Sequence, residues 1–188
     1  DQLMEAGKPH RLLPVGLDAL DIVRILAGFV LQGVDYYSAP TCLIESRKSS
    51  PFEAGIGFAV DLDGRSFVGG EALEAESRLP LKWQLVGLEL SLPQMEDLYE
   101  TVGLPPALSI EASRRSRPVY LRSRQVGYIT SSTFSPILKS AIALATVEGD
   151  VGVPGTDLEV EVTVEHVHHR ISAKVVERPF FDPPRKRS

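Results

Sequence analysis

The segment from Asp157 to Val176 alternates apolar and polar residues, and it constrains the fold more narrowly than any other stretch of the chain. Leucine and valine occupy every second position in 158–164, and the same alternation returns in 171–175. Because successive side chains of a strand point to opposite faces, this pattern predicts two half-buried strands. The phase slips between the two segments, so we expect the hairpin turn near residues 166–169.

Similar short patterns occur upstream of this hairpin. QLVGLELS at 84–91 alternates as one strand, and 118–136 predicts two more strands joined by a turn at 123–125. IGFAVDL at 56–62 also has the composition of a strand. Short strands at this spacing indicate a small antiparallel barrel or sandwich, which we expect to begin near residues 80–84.

Helical spacing dominates the N-terminal part. Residues 17–27 form an amphipathic pattern that ends near Gly28, with Asp18, Asp21 and Arg24 on the face opposite the apolar one. Residues 2–6 read as the end of a helix closed by Gly7 in a left-handed conformation. A third helix is predicted to begin near Gly69. The N-terminal part is therefore expected to mix helices with short strands.

Composition excludes several classes of function. The formal net charge of −5 gives no basic face for nucleic acid, and apolar runs stay well short of the roughly 20 residues that span a bilayer. The single cysteine, Cys42, rules out an internal disulfide and favours a reducing, cytoplasmic compartment. His166, His168 and His169 are interpreted as exposed turn residues rather than metal ligands, so no metal is expected.

Glu53 stands in an otherwise small and apolar segment, SPFEAGIGF at 50–58. Burying a carboxylate costs roughly several kcal/mol unless the group is paired with a cation or hydrogen-bonded. Chemistry alone leaves three alternatives for this residue: it caps backbone amides, pairs with an arginine, or holds a polar ligand.

Seven segments together resemble, in order, the aminomethyltransferase family, whose best-known member is the T-protein of the glycine cleavage system. They are GLDALDIVRILAG (16–28), GVDYY (33–37), SPFEAGIGFAVDLDGRSFVGGEAL (50–73), QLVGLEL (84–90), RQVGYITSSTFSPILKSAIALATV (124–147), VPGTDLEVEV (153–162) and AKVVERPFFDPPRKR (173–187). The resemblance covers nearly the whole chain and corresponds to the C-terminal part of the family.

The resemblance implies an α+β fold: residues 1–82 as the C-terminal part of a folate-binding region, and residues 83–188 as an antiparallel β-barrel domain. It implies transfer of a one-carbon unit from a small-molecule donor to tetrahydrofolate. The family's catalytic aspartate lies in an N-terminal part that this chain lacks. We therefore assign no catalytic residue, expect this chain alone to be inactive, and expect that missing part to be its partner.

The family motif R-x-E-A-G carries a glutamate that contacts the pterin ring, and here that position is Leu26. With leucine at this position, the chain resembles the divergent, demethylase-type members of the family more than a glycine-cleavage enzyme. By resemblance, the residues expected to contact or support the cofactor are Arg24, Leu26, Tyr37, Glu53 and Arg187. Glu53 is expected to be buried at the edge of the ligand channel, bonded to backbone amides and orienting an arginine such as Arg24.

The resemblance leaves four functions open. The first is a tetrahydrofolate-dependent aminomethyl- or methyltransferase that does not act in glycine cleavage. The others are a non-catalytic folate-binding protein, a degenerate relative that serves as an interaction module, and the folate domain of a flavin-dependent amine dehydrogenase.

Overall fold

The computed structural model of the protein describes residues 1–64, 66–108 and 111–183. Within these ranges four α-helices are present: α1 (Gln2–Gly7), α2 (Leu17–Leu26), α3 (Gly70–Ser77) and α4 (Leu92–Thr101). Short 3-10 turns cover Lys8–His10, Ala39–Thr41, Glu45–Arg47 and Gly57–Ala59. In the part of the chain so described, every helix is too short or too polar to cross a bilayer.

Six strands form a closed antiparallel barrel in the order β1-β4-β3-β2-β5-β6. Their bounds are β1 (Trp83–Leu90), β2 (Arg117–Leu121), β3 (Arg124–Ser135), β4 (Ser140–Glu148), β5 (Asp157–Val164) and β6 (Val167–Val176). Closure pairs β6 with β1 over residues 87–90 and so leaves few unpaired sheet edges. The expected α+β class with a small antiparallel barrel is confirmed. The division at residues 82 and 83 stays a prediction, although β1 begins at Trp83.

Strand β4 is buried on both faces, which explains its continuous apolar sequence. Its alanines and Val147 point into the barrel with the inner residues of the other strands. Ile142 and Leu144 point outward, where Ile25 and Leu26 of α2 cover them. The outer face of β4 is therefore the platform on which α2 packs.

The turn at residues 50–55 covers the edge of β1 that β6 leaves open. The backbone N–H of Leu85 donates to the carbonyl of Glu53 at 2.9 Å. Because β6 pairs only with residues 87–90 of β1, this bond satisfies a backbone group that the sheet itself does not reach. The turn thereby ties the Glu53 segment to the barrel.

The strand predicted at residues 56–62 is wrong. The segment instead forms a 3-10 turn with local backbone bonds, from Ala59 N–H to Ile56 and from Val60 N–H to Gly57. Phe58 is 91 % solvent-exposed in this chain, so the aromatic ring has no sheet neighbour to pack on. Gly55, with φ +68°, turns the chain away from an extended path just before this segment.

Two other expectations need correction. Gly7 is not left-handed: its φ is −82°, the chain continues into a 3-10 turn, and Arg11 takes the positive φ instead. The hairpin turn lies at Glu165 and His166, both with positive φ, so it comes earlier than the predicted 166–169. This two-residue turn suits the twist of the flanking strands, and it places His168 and His169 on β6.

Candidate functional site

An ionic network joins α2 and the following loop to the barrel. Arg24 donates from Nε to Asp21 at 2.6 Å and from Nη1 to Asp35 at 2.5 Å. Its Nη2 donates to the Ser131 hydroxyl of β3 at 2.8 Å. All three nitrogens of this guanidinium are thus engaged inside the protein. Asp21 and Arg24, on the polar face of α2, are turned toward the barrel because they carry this network.

Asp35 is the buried acceptor of the network, with only 4 % of its surface exposed. One carboxylate oxygen accepts from the Leu31 N–H at 2.9 Å and from Arg24. The other oxygen accepts from the hydroxyls of Thr130 at 2.5 Å and Ser131 at 2.7 Å. A carboxylate has about four lone-pair sites, so Asp35 is saturated. Its role is to hold the loop on β3, not to bind a ligand.

Asp21 extends the network to the segment before β2. Its second oxygen accepts from both Nε and Nη2 of Arg114, at 3.1 and 2.9 Å. Burial raises the pKa of Asp21, but its hydrogen bonds and charge interactions with Arg24 and Arg114 outweigh that effect and lower the pKa overall. We call Asp21, Arg24, Asp35, Arg114 and Ser131 the Arg24 network.

Leu26 points into the apolar contact between α2 and β4. It is 4 % exposed and clusters with Ile25, Ile142 and Leu144. Its backbone carbonyl accepts from the N–H of Phe181 at 3.3 Å, which brings the C-terminal segment over the end of the helix. The side chain offers no polar atom, and in this chain it has almost no surface that a ligand can reach.

Glu53 caps its own turn. Its carboxylate accepts from the N–H of Ser50 at 3.2 Å, and the Ser50 hydroxyl accepts from the N–H of Glu53 at 3.2 Å. This reciprocal pair is the arrangement of a capping box, and the sequence SPFE has the S-x-x-E spacing for it. The expected bonds to backbone amides are therefore present. Glu53 is only partly buried, and Arg24 pairs with Asp21 and Asp35 instead of with it.

The carbonyl of Tyr37 accepts from the N–H of Ser49 at 2.9 Å, so Tyr37 lies beside the start of the turn that carries Glu53. Burial raises the pKa of the Tyr128 phenol, and a hydrogen bond with Thr146 opposes that rise. Tyr37 and Glu53 raise the same pKa further, while the charge of Arg47 lowers it. The hydrogen bond from Ser49 to Tyr37 thus brings Tyr37 close to the turn of Glu53, and the charges of both act on the Tyr128 phenol.

Arg178 contacts both loops that flank the Arg24 network. Its Nη1 lies 3.5 Å from the carbonyl of Gly28, and a Cβ at Gly55 would collide with its Nη2. Burial lowers the pKa of this guanidinium, and the Asp35 charge raises it. The sequence analysis did not single out this residue.

The predicted site residues fall into two groups. Arg24 and Leu26 lie on α2 with their side chains turned to the barrel, while Tyr37 and Glu53 share a partly exposed surface. Arg187 lies outside the described residues. The sequence analysis missed Asp35 and its hydroxyl partners. The run TSST at 130–133 was the available signal, because polar residues on a buried strand need hydrogen-bonding partners.

The three histidines of the β5–β6 hairpin point to no metal centre. His168 Nδ1 lies 3.0 Å from Oε1 of Glu161, an ordinary surface contact. Among the residues that the structure describes, no three His, Cys, Asp or Glu side chains are grouped so as to hold an ion.

The outer side of α2 and its surroundings expose large apolar side chains. Leu17, Leu20 and Val23 face solvent on the helix, Phe29 does so just after it, and Phe58 is exposed in the 3-10 turn Gly57–Ala59. We call these five residues the apolar face. Isolated exposed hydrophobic residues are ordinary, but several on one region of a surface indicate a contact with another polypeptide.

Comparisons with known proteins cover nearly the whole chain. Residues 100–182 match the profile of the glycine cleavage T-protein C-terminal barrel domain. The aminomethyltransferase of Halalkalibacterium halodurans is 34 % identical over 181 residues, which are 96 % of this chain and 41 % of that protein. The trimethylamine-oxide aldolase of Ruegeria pomeroyi is 35 % identical over 189 residues, 100 % of this chain and 20 % of that protein.

A solved structure shows the same fold. The crystal structure of glycine cleavage system aminomethyltransferase T from Bartonella henselae superposes with a TM-score of 0.69 at 22 % identity. The match covers 96 % of this chain and 43 % of that one. The chain therefore spans about two fifths of the length of the aminomethyltransferases it matches and about one fifth of the aldolase.

Proposed function

Because this chain belongs to the aminomethyltransferase family and spans about two fifths of its curated relatives, we propose that it is the C-terminal part of a folate-dependent one-carbon transferase. The observation that carries the proposal is the extent of the match. Similarity continues from the barrel through the N-terminal 82 residues, so it includes the loops that the Arg24 network fixes on β3. A match limited to the barrel would not support this proposal.

In the part of the chain that the structure describes, the predicted residues do not by themselves form a pterin site. Leu26 is apolar and buried, Arg24 is fully engaged, and only Tyr37 and Glu53 keep partly exposed polar atoms. We therefore derive no catalytic step through tetrahydrofolate from this structure. We propose that the chain contributes a rigid surface against which the reactants are oriented. The orientation of reactants supplies much of the catalysis in transfers of this kind.

The proposed partner for the apolar face is the remainder of the same fold. The aminomethyltransferase relatives are more than twice as long as this chain, and a contact between parts of one fold buries apolar side chains of the kind exposed on α2. The one-carbon donor is proposed to be a small molecule other than the glycine-cleavage intermediate, because Leu26 departs from the family motif. We propose a cytoplasmic location, because a single cysteine cannot form an internal disulfide and so favours a reducing compartment.

A second arrangement is supported by the Ruegeria relative. That protein is about five times the length of the match, and it is an aldolase rather than a transferase. This favours the same domain serving as one part of a much larger enzyme, as in the flavin-dependent amine dehydrogenase alternative. Sequencing the complete gene distinguishes a chain of roughly 400 residues from a much longer one.

The test of folate binding is a calorimetric titration of tetrahydrofolate into the complete protein. We expect micromolar binding by the wild type, followed by tetrahydrofolate-dependent consumption of an amine, thioether or aryl methyl ether. Absence of binding by a folded protein would overturn the proposal. Binding without turnover of any donor would favour the non-catalytic folate-binding alternative.

The variant Leu26→Glu separates an active protein from a degenerate one. If folate binds only to the variant, the wild type has lost the cofactor. A carboxylate introduced between α2 and β4 costs several kcal/mol, roughly the penalty for an unpaired buried charge, so thermal unfolding of the variant must be measured alongside. Leu26→Met, which keeps the apolar contact, is the matched control.

A further inference from the structure

One end of the barrel contains a cavity of about 470 Å³ that belongs neither to the Arg24 network nor to the apolar face. Its inner wall is apolar and is formed by Leu90, Met95, Phe134, Ala141 and Val162. Ligand pockets commonly have volumes of roughly 300 to 1,000 Å³ with walls of this character. We call this space the barrel-mouth cavity.

The cavity opens where β2 and β5 separate. These strands pair only at Val119 with Val160 and at Tyr120 with Glu159, although β5 continues to Val164. Pro118 has no N–H to donate to a longer ladder. The gap between the two strands therefore follows from the sequence, and it gives access from solvent to the barrel interior.

Arg117 lies at the inner side of this opening. It is two residues from Val119 on the same strand and opposite Ile129, and both of these residues belong to the barrel core. Its side chain therefore enters the interior face and lines the cavity. Its Nη2 donates to the hydroxyl of Ser132 at 2.9 Å.

No carboxylate among the described residues balances the charge of Arg117. Burial lowers the pKa of its guanidinium, and no acidic neighbour in that part of the chain offsets the effect. Glu161, which also lines the cavity, is engaged by His168 at 3.0 Å and by the Tyr120 hydroxyl at 3.3 Å. A partly buried cation without a counter-ion is costly, so the site favours an anion.

We propose that the barrel-mouth cavity binds a small amphipathic monocarboxylate, with its acid group on Arg117 and Ser132 and its apolar chain against Leu90, Met95 and Phe134. One guanidinium with one hydroxyl matches a single carboxylate group, and a guanidinium recognises that group by paired hydrogen bonds. The apolar chain would lie on Leu90, Met95 and Phe134, while other parts of the lining are polar and include Glu111, Arg115 and Thr163. This inference does not depend on the folate proposal, because the Arg24 network lies on the opposite face of β3.

The test uses octanoate as the probe, with 1-octanol and octylammonium as chain-matched controls, in calorimetric titrations of the protein. We expect octanoate to bind about tenfold or more tightly than octanol, as a charge-assisted contact would give, and octylammonium to bind no better than octanol. Equal affinities for octanoate and octanol, or no binding of octanoate, would overturn the proposal.

Substitutions at Arg117 and at a control position test whether octanoate binds in the barrel-mouth cavity. Arg117→Met keeps the apolar stem and should weaken octanoate binding about tenfold or more while leaving octanol unchanged. Arg122→Met, at the opposite end of β2 and exposed, should change neither. If Arg117→Met does not fold, Ser132→Ala replaces it, with a smaller loss expected. Unchanged octanoate affinity in the folded variant would contradict the assignment.

Discussion

Asp35 shows how one residue determines where a whole segment lies. Its two oxygens accept four hydrogen bonds, two from the loop and α2 and two from β3. An apolar residue at this position would remove the negative charge that faces Arg24 Nη1 and an acceptor shared by two strand hydroxyls. The position of the N-terminal part on the barrel therefore depends on a polar contact as well as on the apolar one.

Asp35→Asn should destabilise the protein by about 3 kcal/mol, because it removes the negative charge that pairs with buried Arg24. Urea unfolding monitored by circular dichroism measures the loss. Asp63→Asn, at an exposed turn position, should change the free energy of unfolding by no more than about 0.5 kcal/mol. A loss below about 1 kcal/mol for Asp35→Asn would show that the network contributes little to stability.

The lowered pKa of Asp21 predicts how the stability of the protein depends on pH. Its folded-state pKa is below the ordinary value of 3.8, so the folded protein binds this proton less tightly than the unfolded chain does. The contribution of Asp21 is therefore present above pH 3.8 and is lost as the pH falls through the folded-state pKa. The difference in unfolding free energy between wild type and Asp21→Asn should be large near about pH 6 and shrink toward about pH 2. A difference independent of pH would refute this assignment.

At the scale of elements, prediction from sequence succeeded where one face of a segment is buried and the other is solvated. The alternation in β5 and β6 identified both strands, and only the turn was displaced. Strand β4 received no assignment because both of its faces are buried, by the barrel core and by α2, so no alternation marks it. The contacts of Asp21 and Arg24 with the barrel and with Arg114 could not be predicted from the helical pattern, since Ser131 and Arg114 lie far away in sequence.

The contact between the C-terminal segment and the turn at 50–55 can be tested by replacing glycines with alanine. Gly55 and Gly33 both have positive φ, so alanine costs about 1 kcal/mol or somewhat more at either position. Only at Gly55 would the new Cβ meet the Arg178 guanidinium, whereas Gly33 has open space. Because this guanidinium is the movable end of a long side chain, we expect Gly55→Ala to lose only about 0.5 kcal/mol more than Gly33→Ala in thermal unfolding.

A double-mutant cycle assigns that extra loss. In an Arg178→Ala background the two glycine substitutions should cost the same, since the colliding group is gone. An excess at Gly55 that persists in this background would mean that the cost arises from the turn itself and not from the C-terminal segment.

At the scale of the whole molecule, exposed apolar surface is distributed unevenly. Among the described residues, most of the exposed large hydrophobic side chains precede residue 80, while the barrel buries its own. A sequence pattern could not reveal this, because the periodicity of α2 is the same whether a neighbour covers its outer side or water does. The uneven distribution fits a chain whose N-terminal part contacts a further portion of the same fold.

That proposal predicts a stability difference between two lengths of the protein. Phe58→Ser and Val23→Ser should each change the unfolding free energy of the 188-residue chain by less than about 0.5 kcal/mol, since both side chains are exposed there. In the complete protein each should cost about 1.5 to 3 kcal/mol, the value of burying a side chain of this kind. Ile137→Ser, in the exposed turn between β3 and β4, should behave alike in both lengths. If the complete protein tolerates Phe58→Ser and Val23→Ser as well as the shorter chain does, the apolar face has a different occupant, because side chains that are covered within one fold cannot be replaced by serine without loss.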